Sequence, residues 1–333
     1  MALVAHTVGG GDGQYASVTL WEADRDGTSS GGDTERALIR AGTYNENITL
    51  DGWTANVTVE LYADTSAGAD HSGIPGSGVV IAPSTGDAIT INQTSHVVNI
   101  VGITIDAAGN GITQNSSTNS IITVQKCLID SASICFFING PGASPASSII
   151  ENSTLYGAGT DALYHAAFVD INPNLMVFRN CTIDNRLRGR SAAGQALDCV
   201  ISGINCLLDN FSQTAGGATW HFQNCIAQST FLTLTTDINN TESVTWVDGA
   251  PAAGQVGFID KANGDYHLYN DANNLAIDYA DGALSPTMGE DIDGHTYTTT
   301  GTSNINAGSD QFLQGGDPGG GAVGVIRAFA VII

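Results

Sequence analysis

Carboxylates are the side chains of this sequence whose types and spacing could support bond cleavage. Glycoside cleavage uses two carboxyl groups about 5–10 Å apart in a groove. Neighbouring coils of the repeat described below could offer Glu151 with Asp184, or Asp161 with Asp170. Four acids share one position in that repeat: Asp106, Asp130, Asp184 and Asp209. Because Asp is a common turn residue directly after a strand, we interpret this row as structural.

Other catalytic arrangements find little support in the sequence. A lyase acting on acidic sugars needs a basic residue beside its acids, and the only lysines, Lys126 and Lys261, lie in unrelated places. No Cys-x-x-Cys pair or Cys/His cluster with zinc spacing occurs. The glycine run at 9–13 lacks the Gly-Lys-Ser/Thr continuation of a phosphate-binding loop. We therefore assign no catalytic residue, cofactor or metal ligand, and the sequence favours a non-enzymatic protein without deciding the question.

Four of the six cysteines belong to a repeat that recurs six times between residues 98 and 227. Each copy alternates inward apolar residues with outward ones and contains a single three-residue step, which is typical of two strands joined by a bend. The third inward position forms one file, the predicted core ladder: Ile103, Cys127, Ser153, Cys181, Cys206 and Cys225. Its steps are 24, 26, 28, 25 and 19 residues. The thiols of this ladder are predicted to be buried.

The residue before each ladder position is suited to a sharp bend. These residues are Gly102, Lys126, Asn152, Asn180, Asn205 and Asn224. Gly and Asn tolerate the left-handed conformation best, so Lys126 is the exception. A repeat near 25 residues with two strands and a bend predicts a coiled parallel β-sheet. A β-sandwich is the alternative, but only two Asn-Gly turns occur in this stretch, too few for its hairpins.

A third wall of each coil is indicated by pairs of a small and a large residue. These pairs are Ala88-Ile89, Gly111-Ile112, Ala162-Leu163 and Ala196-Leu197. Residues 184–194 are predicted to leave the coil as a loop. This loop would carry Arg186, Arg188 and Arg190, which either pair with acids of the same chain or contact an acidic neighbouring subunit.

The first 40 residues depart from the coil pattern and are predicted to form a cap. Ser17 is suited to be the N-cap of a short amphipathic helix, with Leu20 and Trp21 turned to one side. A lid of this kind is needed because the first coil would otherwise expose apolar interior and an unpaired strand edge.

Three stretches resemble known β-helix proteins. Gly-Thr-Tyr-Asn-Glu-Asn-Ile at 42–48 resembles the opening coil of right-handed parallel β-helix proteins. The run from Gly10 to Glu22 is similar to the N-termini of β-helical proteins encoded among tailed-phage structural genes. The segments 264–268, 274–278, 291–294 and 305–308 resemble the C-terminal module of bacterial and phage β-helix proteins. They depart from it at Asn274, Leu275 and Asn306 and lack its closing Glu, so the resemblance does not decide whether the acids of this module bind calcium.

The resemblance and the repeat together predict an all-β chain. The expected fold is a right-handed, single-stranded parallel β-helix with a short N-terminal helical cap and an irregular C-terminal module. The predicted divisions are 1–40 for the cap, 41–256 for the β-helix, 257–314 for the C-terminal module, and 315–333 for a Gly-rich linker and an apolar tail. The resemblance also implies side-by-side homotrimers.

Charge and composition restrict the partners. The net charge is −23, from 33 acidic and 10 basic residues. Nucleic acid and anionic membrane surfaces are therefore not expected as partners, because binding them requires Lys and Arg. Neither a secretory signal nor an apolar run of membrane-spanning length is present. Buried free thiols favour folding in a reducing cytosol.

The apolar tail at residues 322–333 follows a Gly-rich linker at 315–321. It is too short to cross a bilayer and too apolar to remain in water. It either folds back along its own β-helix or adds to another chain. The candidate contact residues are Val325, Ile326, Phe329, Val331 and Ile332.

Three functions are compatible with these features. The first is a non-enzymatic virion protein, a head decoration or fibre-like protein on the particle surface that folds in the host cytoplasm and binds other virion proteins and itself. The second is a tailspike-type polysaccharide depolymerase or receptor-binding tail fibre, which would contact a host-surface glycan. The third is a bacterial surface adhesin that binds carbohydrate.

Overall fold

The fold was analysed in a computed structural model of the chain. It describes residues 2–28, 31–71, 73–92, 96–115, 120–140, 147–157, 161–167, 175–191, 199–214, 218–228, 236–238, 240–277, 279–281, 291–293 and 304–309. Within these residues, no helix combines the length and apolarity needed to span a membrane. One α-helix, α1, covers Val18–Arg25, and short 3-10 turns cover Thr65–Ala67 and Lys261–Asn263.

Short strands make up most of the described chain, and they are numbered here in chain order. The first ten are β1 (Leu3–Val8), β2 (Thr34–Ile39), β3 (Gly42–Tyr44), β4 (Ile48–Leu50), β5 (Thr58–Ala63), β6 (Val79–Ile81), β7 (Ile89–Ile91), β8 (Val97–Val101), β9 (Ile103–Ala107) and β10 (Ile112–Gln114). The next ten are β11 (Ile121–Gln125), β12 (Leu128–Ser131), β13 (Ile134–Gly140), β14 (Ser147–Glu151), β15 (Thr154–Tyr156), β16 (Asp161–Ala167), β17 (Leu175–Arg179), β18 (Thr182–Ser191), β19 (Cys199–Ile204) and β20 (Leu207–Thr214). The last eight are β21 (Ala218–Gln223), β22 (Ile226–Ala227), β23 (Thr236–Ile238), β24 (Trp246–Asp248), β25 (Val256–Asp260), β26 (Asp265–Leu268), β27 (Ala280–Asp281) and β28 (Asn304–Ile305).

The strands stack into the three walls of a parallel β-helix. Wall 1 is a ten-stranded sheet in the order β1-β2-β5-β8-β11-β14-β17-β19-β21-β23. Wall 2 (β3, β6, β9, β12, β15, β22 and the first halves of β18 and β20) and wall 3 (β4, β7, β10, β13, β16 and the second halves of β18 and β20) merge into one 13-stranded sheet. Adjacent strands pair in parallel, as in β11 with β14 and β12 with β15. The predicted parallel β-helix is therefore confirmed, and the β-sandwich alternative is wrong.

The bend between walls 1 and 2 has a left-handed residue in every repeat. The φ angles there are 72° at Gly102, 51° at Lys126, 48° at Asn152, 47° at Asn180, 56° at Asn205 and 52° at Asn224. The predicted left-handed bend is therefore confirmed, including at Lys126. An L residue with a β-carbon is strained in this region, and Asn less than most.

Substitution of Lys126 by Asn is expected to raise the free energy of unfolding by about 0.5–1 kcal/mol, because Asn tolerates its φ of 51° better. Lys126→Ala is the matched control, since it removes the charge but keeps a residue that is strained at positive φ. Equilibrium urea unfolding of both variants measures the difference. Equal stabilisation by Ala and Asn would show that charge, not backbone conformation, is responsible.

The ladder that follows these bends lies in the dry interior. All six of its residues are 0% exposed. Each of the four thiols donates a hydrogen bond to the carbonyl two residues earlier, for example Cys127 Sγ to Gln125 O at 3.2 Å and Cys181 Sγ to Arg179 O at 3.2 Å. Ser153 fits the same file because its hydroxyl donates to Glu151 O at 2.8 Å. Burial raises the pKa of Cys127 to about 12, so this thiol is unreactive at neutral pH.

Wall 3 confirms the predicted third wall at three of its four pairs. The strand register joins Ile89, Ile112, Phe136, Leu163 and Leu187. The predicted pair at 196–197 lies outside the described residues.

The predicted loop at 184–194 is wrong as far as residue 191, because β18 continues from wall 2 into wall 3. A register shift between Ile183 and Arg186 forms the corner in place of a loop. The alternation of arginines with buried Leu187 was the sequence signal for this strand.

The N-terminal cap contains the predicted helix. Ser17 is its N-cap, and its side chain accepts a hydrogen bond from Leu20 N at 3.2 Å. Val18 and Trp21 are fully buried, and Trp21 packs against Trp53 with ring centroids 5.4 Å apart. The expectation that Leu20 shares the face of Trp21 is wrong, since Leu20 is 56% exposed. The helix buries positions one turn apart, and Leu20 falls between them.

The parallel sheet begins within the segment assigned to the cap, because β1 and β2 are the first two strands of wall 1. At the other end, β24, β25 and β26 form a separate three-stranded sheet. This sheet and the segments that follow it, at 274–277, 291–293 and 304–309, are called the C-terminal module below. The module shares a second apolar core with outward side chains of wall 2, which are Leu128, Tyr156, Leu207 and Ile226. It therefore covers the outer face of that wall.

Candidate functional site

A row of acidic and aromatic side chains runs along the outer face of wall 2. The register pairs Asp106 with Asp130, and Asp130 with Tyr156. Asp184 and Asp209 follow the paired residues Ile183 and Leu208 in the next two coils. The four acids singled out in the sequence thus share one position, as the repeat implies, with Tyr156 between the second and the third.

Asp184 fastens the C-terminal module to this row. Its carboxylate accepts a hydrogen bond from the hydroxyl of Tyr266 and lies 2.8 Å from Lys261 Nζ. Tyr266 also packs against Tyr156, with ring centroids 5.2 Å apart. Burial, and then the charge of Asp184, raise the pKa of Tyr266, which keeps its proton as the donor. The carboxylate of Asp184 therefore holds the C-terminal module against wall 2.

Asp209 is held in a similar way. Gln228 Nε2 donates a hydrogen bond to its Oδ1 at 2.8 Å. Burial, and then the charge of Asp184, raise the pKa of Asp209, while Lys261 opposes the shift. The partners Lys261, Tyr266 and Gln228 were not identified from the sequence, because they lie outside the repeat whose spacing revealed the acids.

The other half of the row is a pair of neighbouring carboxylates. Asp106 is exposed and Asp130 is half-buried. They lie on adjacent parallel strands, which places their Cα atoms about 5 Å apart. Burial, and then the charge of Asp106, raise the pKa of Asp130. Asp130 therefore keeps its proton to a higher pH than an ordinary aspartate does, as the general acid of a carboxylate pair requires.

The carboxylate pair Glu151 and Asp184, proposed from neighbouring coils, is not brought together in this way. Glu151 lies on wall 1, is 2% exposed, and binds Arg179 Nη1 at 2.6 Å and Gln125 Nε2 at 3.0 Å. Asp184 lies on wall 2, so pairing it with Glu151 was wrong, because the bend at Asn152 separates the two walls. Asp161 is in β16, and Asp170 lies outside the described residues.

A second acidic cluster lies under the cap helix. Oxygens of Glu22, Asp26 and Asp51 are within 4.8 Å of one another, a spacing that could hold a cation. Local contacts already engage this cluster, since Asp51 N donates to Glu22 Oε1 at 3.1 Å and Gly27 N donates to Asp26 Oδ1 at 2.5 Å. Burial raises the pKa of Glu22 from 4.5 to about 7, and the charges of Asp51 and Asp26 add to the shift.

Glu22 is expected to make stability pH-dependent. Since its folded pKa is raised, its contribution is fully present below pH 4.5 and is lost as the pH rises through about 7. Glu22→Gln should therefore be more stable than the parent at pH 8 by about 1–2 kcal/mol, a figure reduced for solvent screening near exposed Asp51. Urea unfolding at pH 5 and pH 8 measures the effect, and Asp51→Asn is the exposed control. An equal gain at both pH values would contradict it.

His267 and two aspartates form a second attachment point of the C-terminal module. His267 contacts Asp265 through Nδ1 and Asp293 through Nε2, the latter at 2.9 Å. A β-carbon on Gly73, whose φ is 66°, would lie 2.6 Å from His267 Nε2, so the loop at 73 needs glycine to approach the module. The motifs at 264–268 and 291–294 marked these residues, but their spacing alone did not join them.

The predicted assembly contacts are placed only in part. Arg186 and Arg188 lie in β18 and are half-buried, and the side chain of Arg190 is not described. The tail residues Val325, Ile326, Phe329, Val331 and Ile332 lie outside the described residues.

Comparison with known proteins gives a limited result. No family model matches the chain, and no curated protein matches it. Two crystal structures of the pectin methylesterase from Aspergillus niger, in deglycosylated and penultimately deglycosylated forms, are similar to it in structure. They are 14% identical, cover 72% of this chain and 85% of their own, and give TM-scores of 0.34 and 0.36. Likeness at this level gives no information about activity, and the walls described above define the fold independently.

Proposed function

We propose that this chain is a non-enzymatic structural protein of a tailed-phage virion, a head decoration or fibre-like surface protein. The observation that carries the proposal is the use of its acids in packing. Glu151 binds Arg179, Asp184 binds Lys261 and Tyr266, and Asp209 binds Gln228. These acids join coils to one another and the module to wall 2, which suits a rigid shaft better than a reaction site.

The dimensions and charge of the chain support the same role. Ten strands in wall 1 give a rod about 43 Å long at the usual strand spacing. The net charge of −23 keeps copies apart and soluble before assembly. In this proposal the protein folds in the host cytoplasm with its buried thiols reduced, and forms homotrimers. Arg186, Arg188 and Arg190 contact the acidic surface of the neighbouring subunit.

Attachment to the particle is assigned to the segment 322–333. Deletion of residues 315–333 is expected to abolish co-sedimentation with phage particles while leaving the thermal unfolding of the β-helix unchanged. Replacement of 322–333 by a Gly/Ser segment of equal length is the matched control for chain length, and it should fail in the same way. Retained co-sedimentation of either variant would remove this mechanism.

The pair Asp106 and Asp130 favours a second candidate, cleavage of a host-surface polysaccharide. Cα atoms about 5 Å apart on adjacent strands allow the two carboxyl groups to reach the separation of about 5 Å that retaining glycosidases use. Asp106 would attack the anomeric carbon while Asp130 protonates the departing glycosidic oxygen, and water would then release the sugar from Asp106 with Asp130 as base. Incubation with capsule or lipopolysaccharide should release oligosaccharides, and both Asp106→Asn and Asp130→Asn should stop the release. Asp209→Asn is the control. The absence of any release from the parent protein would eliminate this candidate.

A further inference from the structure

The outer edge of β1 is an open strand edge. β1 pairs with β2 on one side, where Thr34 N donates to Ala2 O and Arg40 N donates to Val8 O. Both backbone groups of one residue face the same neighbour in a parallel strand. The groups of Leu3, Ala5 and Thr7 therefore face away from β2.

Among the described residues, only the end of this edge is covered. Tyr15 N donates to Thr7 O, and Thr7 N donates to Gln14 Oε1. No described residue pairs with the backbone N–H and C=O groups of Leu3 and Ala5 on that side. Four polar groups thus lie ready to pair with a further strand.

β1 lacks the features that usually protect an edge strand. Its sequence, Leu-Val-Ala-His-Thr-Val, has no Lys, Glu, Asp or Pro, and Leu3 is 57% exposed. Helix α1 closes the interior of the first coil through Val18 and Trp21, but it does not pair with this edge. An uncharged, unprotected edge is a template for strand addition from another segment.

The segment 322–333 has the composition of a strand that is buried on both faces. It contains six Val and Ile residues and one Phe, no Pro, and a single charge at Arg327. Its apolar residues do not alternate with polar ones, which is the pattern of a strand inside a sheet that is covered on both sides. The preceding stretch at 315–321 has five glycines in seven residues.

The number of residues between Ser309 and the segment 322–333 favours pairing with the β1 edge of another molecule over pairing with the edge of the same molecule. Ser309, the last described residue, is held to Thr182 Oγ1 at 3.2 Å, in the coil of β17 and β18. β17 is six strands from β1 in wall 1, a distance of about 29 Å along the rod. Twelve residues separate Ser309 from the segment, and a random coil of that length spans about 20 Å on average. Reaching the edge of the same molecule would also require passage around the corner from wall 2 to wall 1.

We propose that the segment 322–333 of one copy adds as a strand to the β1 edge of a second copy. The inference rests on the contact role given to this segment in the proposed function: between copies its partner is another copy of the chain, and only the terminal copy uses its segment to attach to the particle. The added strand would extend wall 1 and cover half-buried Val4 and His6. Because donor segment and acceptor edge are different surfaces, the contact is head-to-tail and can continue from copy to copy.

Engineered disulfides test the pairing in the full-length protein. The chain carrying both Leu3→Cys and Val325→Cys should form a ladder of disulfide-linked multimers on mild oxidation, and Val323→Cys or Phe329→Cys covers alternative registers. The five native thiols whose side chains are described are buried, which keeps them out of the exchange. A monomer with an internal disulfide would assign the segment to its own edge and overturn the proposal.

Backbone substitutions on the edge provide the control. Ala5→Pro removes an N–H that faces away from β2, whereas Ala5→Ser keeps it. Ala5→Pro should reduce the multimer yield at least about tenfold, and Ala5→Ser should leave it unchanged. Equal yields would also overturn the proposal.

Particle co-sedimentation separates this inference from the proposed function. Multimers without particle attachment support the strand pairing and remove the virion role, whereas attachment without multimers removes the pairing alone.

Discussion

Replacement of Arg25 by Met is expected to lower the free energy of unfolding by about 3–5 kcal/mol. Glu35 occupies an inward position of β2, next to Val59 of the following coil, and is 1% exposed. Arg25, at the end of α1, binds both of its oxygens, with Nη2 2.8 Å from Oε1 and Nε 3.2 Å from Oε2. Among the described residues, the next basic nitrogen is His6 Nε2, which lies 3.8 Å from Glu35 Oε2. The substitution therefore leaves a buried carboxylate poorly compensated.

The double variant Arg25→Met/Glu35→Leu is the matched control for this prediction. It removes both charges and keeps apolar volume, so its stability should lie within about 1 kcal/mol of the parent. Equilibrium urea unfolding, followed by circular dichroism, measures all three proteins. If the single and double variants lose the same free energy, the Arg25 side chain acts through packing rather than by neutralising Glu35.

Substitutions at Gly203 and Phe222 are expected to be strongly coupled. Gly203 faces inward and pairs with Phe222 in the next coil. A β-carbon on Gly203 would lie 2.6 Å from Cδ1 of Phe222, whose side chain is buried. Gly203→Leu should cost about 3 kcal/mol through overpacking, and Phe222→Ala about 3–5 kcal/mol through the cavity it leaves. In the double variant the leucine fills space that the ring vacates.

The measured quantity is the coupling free energy of this pair. The double variant should be at least about 2 kcal/mol more stable than the sum of the single losses predicts. Ser202→Leu, on the outward face of the same strand, is the control and should couple to Phe222→Ala by less than about 0.5 kcal/mol. Additive losses for Gly203 and Phe222 would show that the interior relaxes around each change separately.

The acids on the outer face of wall 2 fall into two pairs with different contacts. Asp184 and Asp209 contact residues from outside the row, whereas Asp106 and Asp130 lie opposite each other on adjacent strands. The contacts of the first two support a structural protein, and the second pair is the geometric basis of the glycan-cleavage candidate among the residues that the structure describes. The glycan-release experiment is thus the measurement that separates the two functions most directly.

The repeat was predicted from the sequence because its causes are local. Alternating apolar residues define a strand whatever surrounds them, and a residue such as Asn180 accepts a left-handed bend by its own conformational preference. Coils of similar length then bring equal positions into register, which placed Cys127, Cys181 and the acids Asp106 and Asp130 correctly. The N-cap at Ser17 is local in the same way.

Only the tertiary structure decided which walls and segments meet outside the repeat. Glu151 and Asp184 are close in the repeat but lie on different walls, and β18 turns its corner without the loop that was predicted for residues 184–194. Tyr266 reaches Asp184 across 82 residues because the C-terminal module fits the outer face of wall 2. That fit depends on the shape of the two surfaces and on the apolar side chains that they bury, and neither produces a periodic pattern in the sequence.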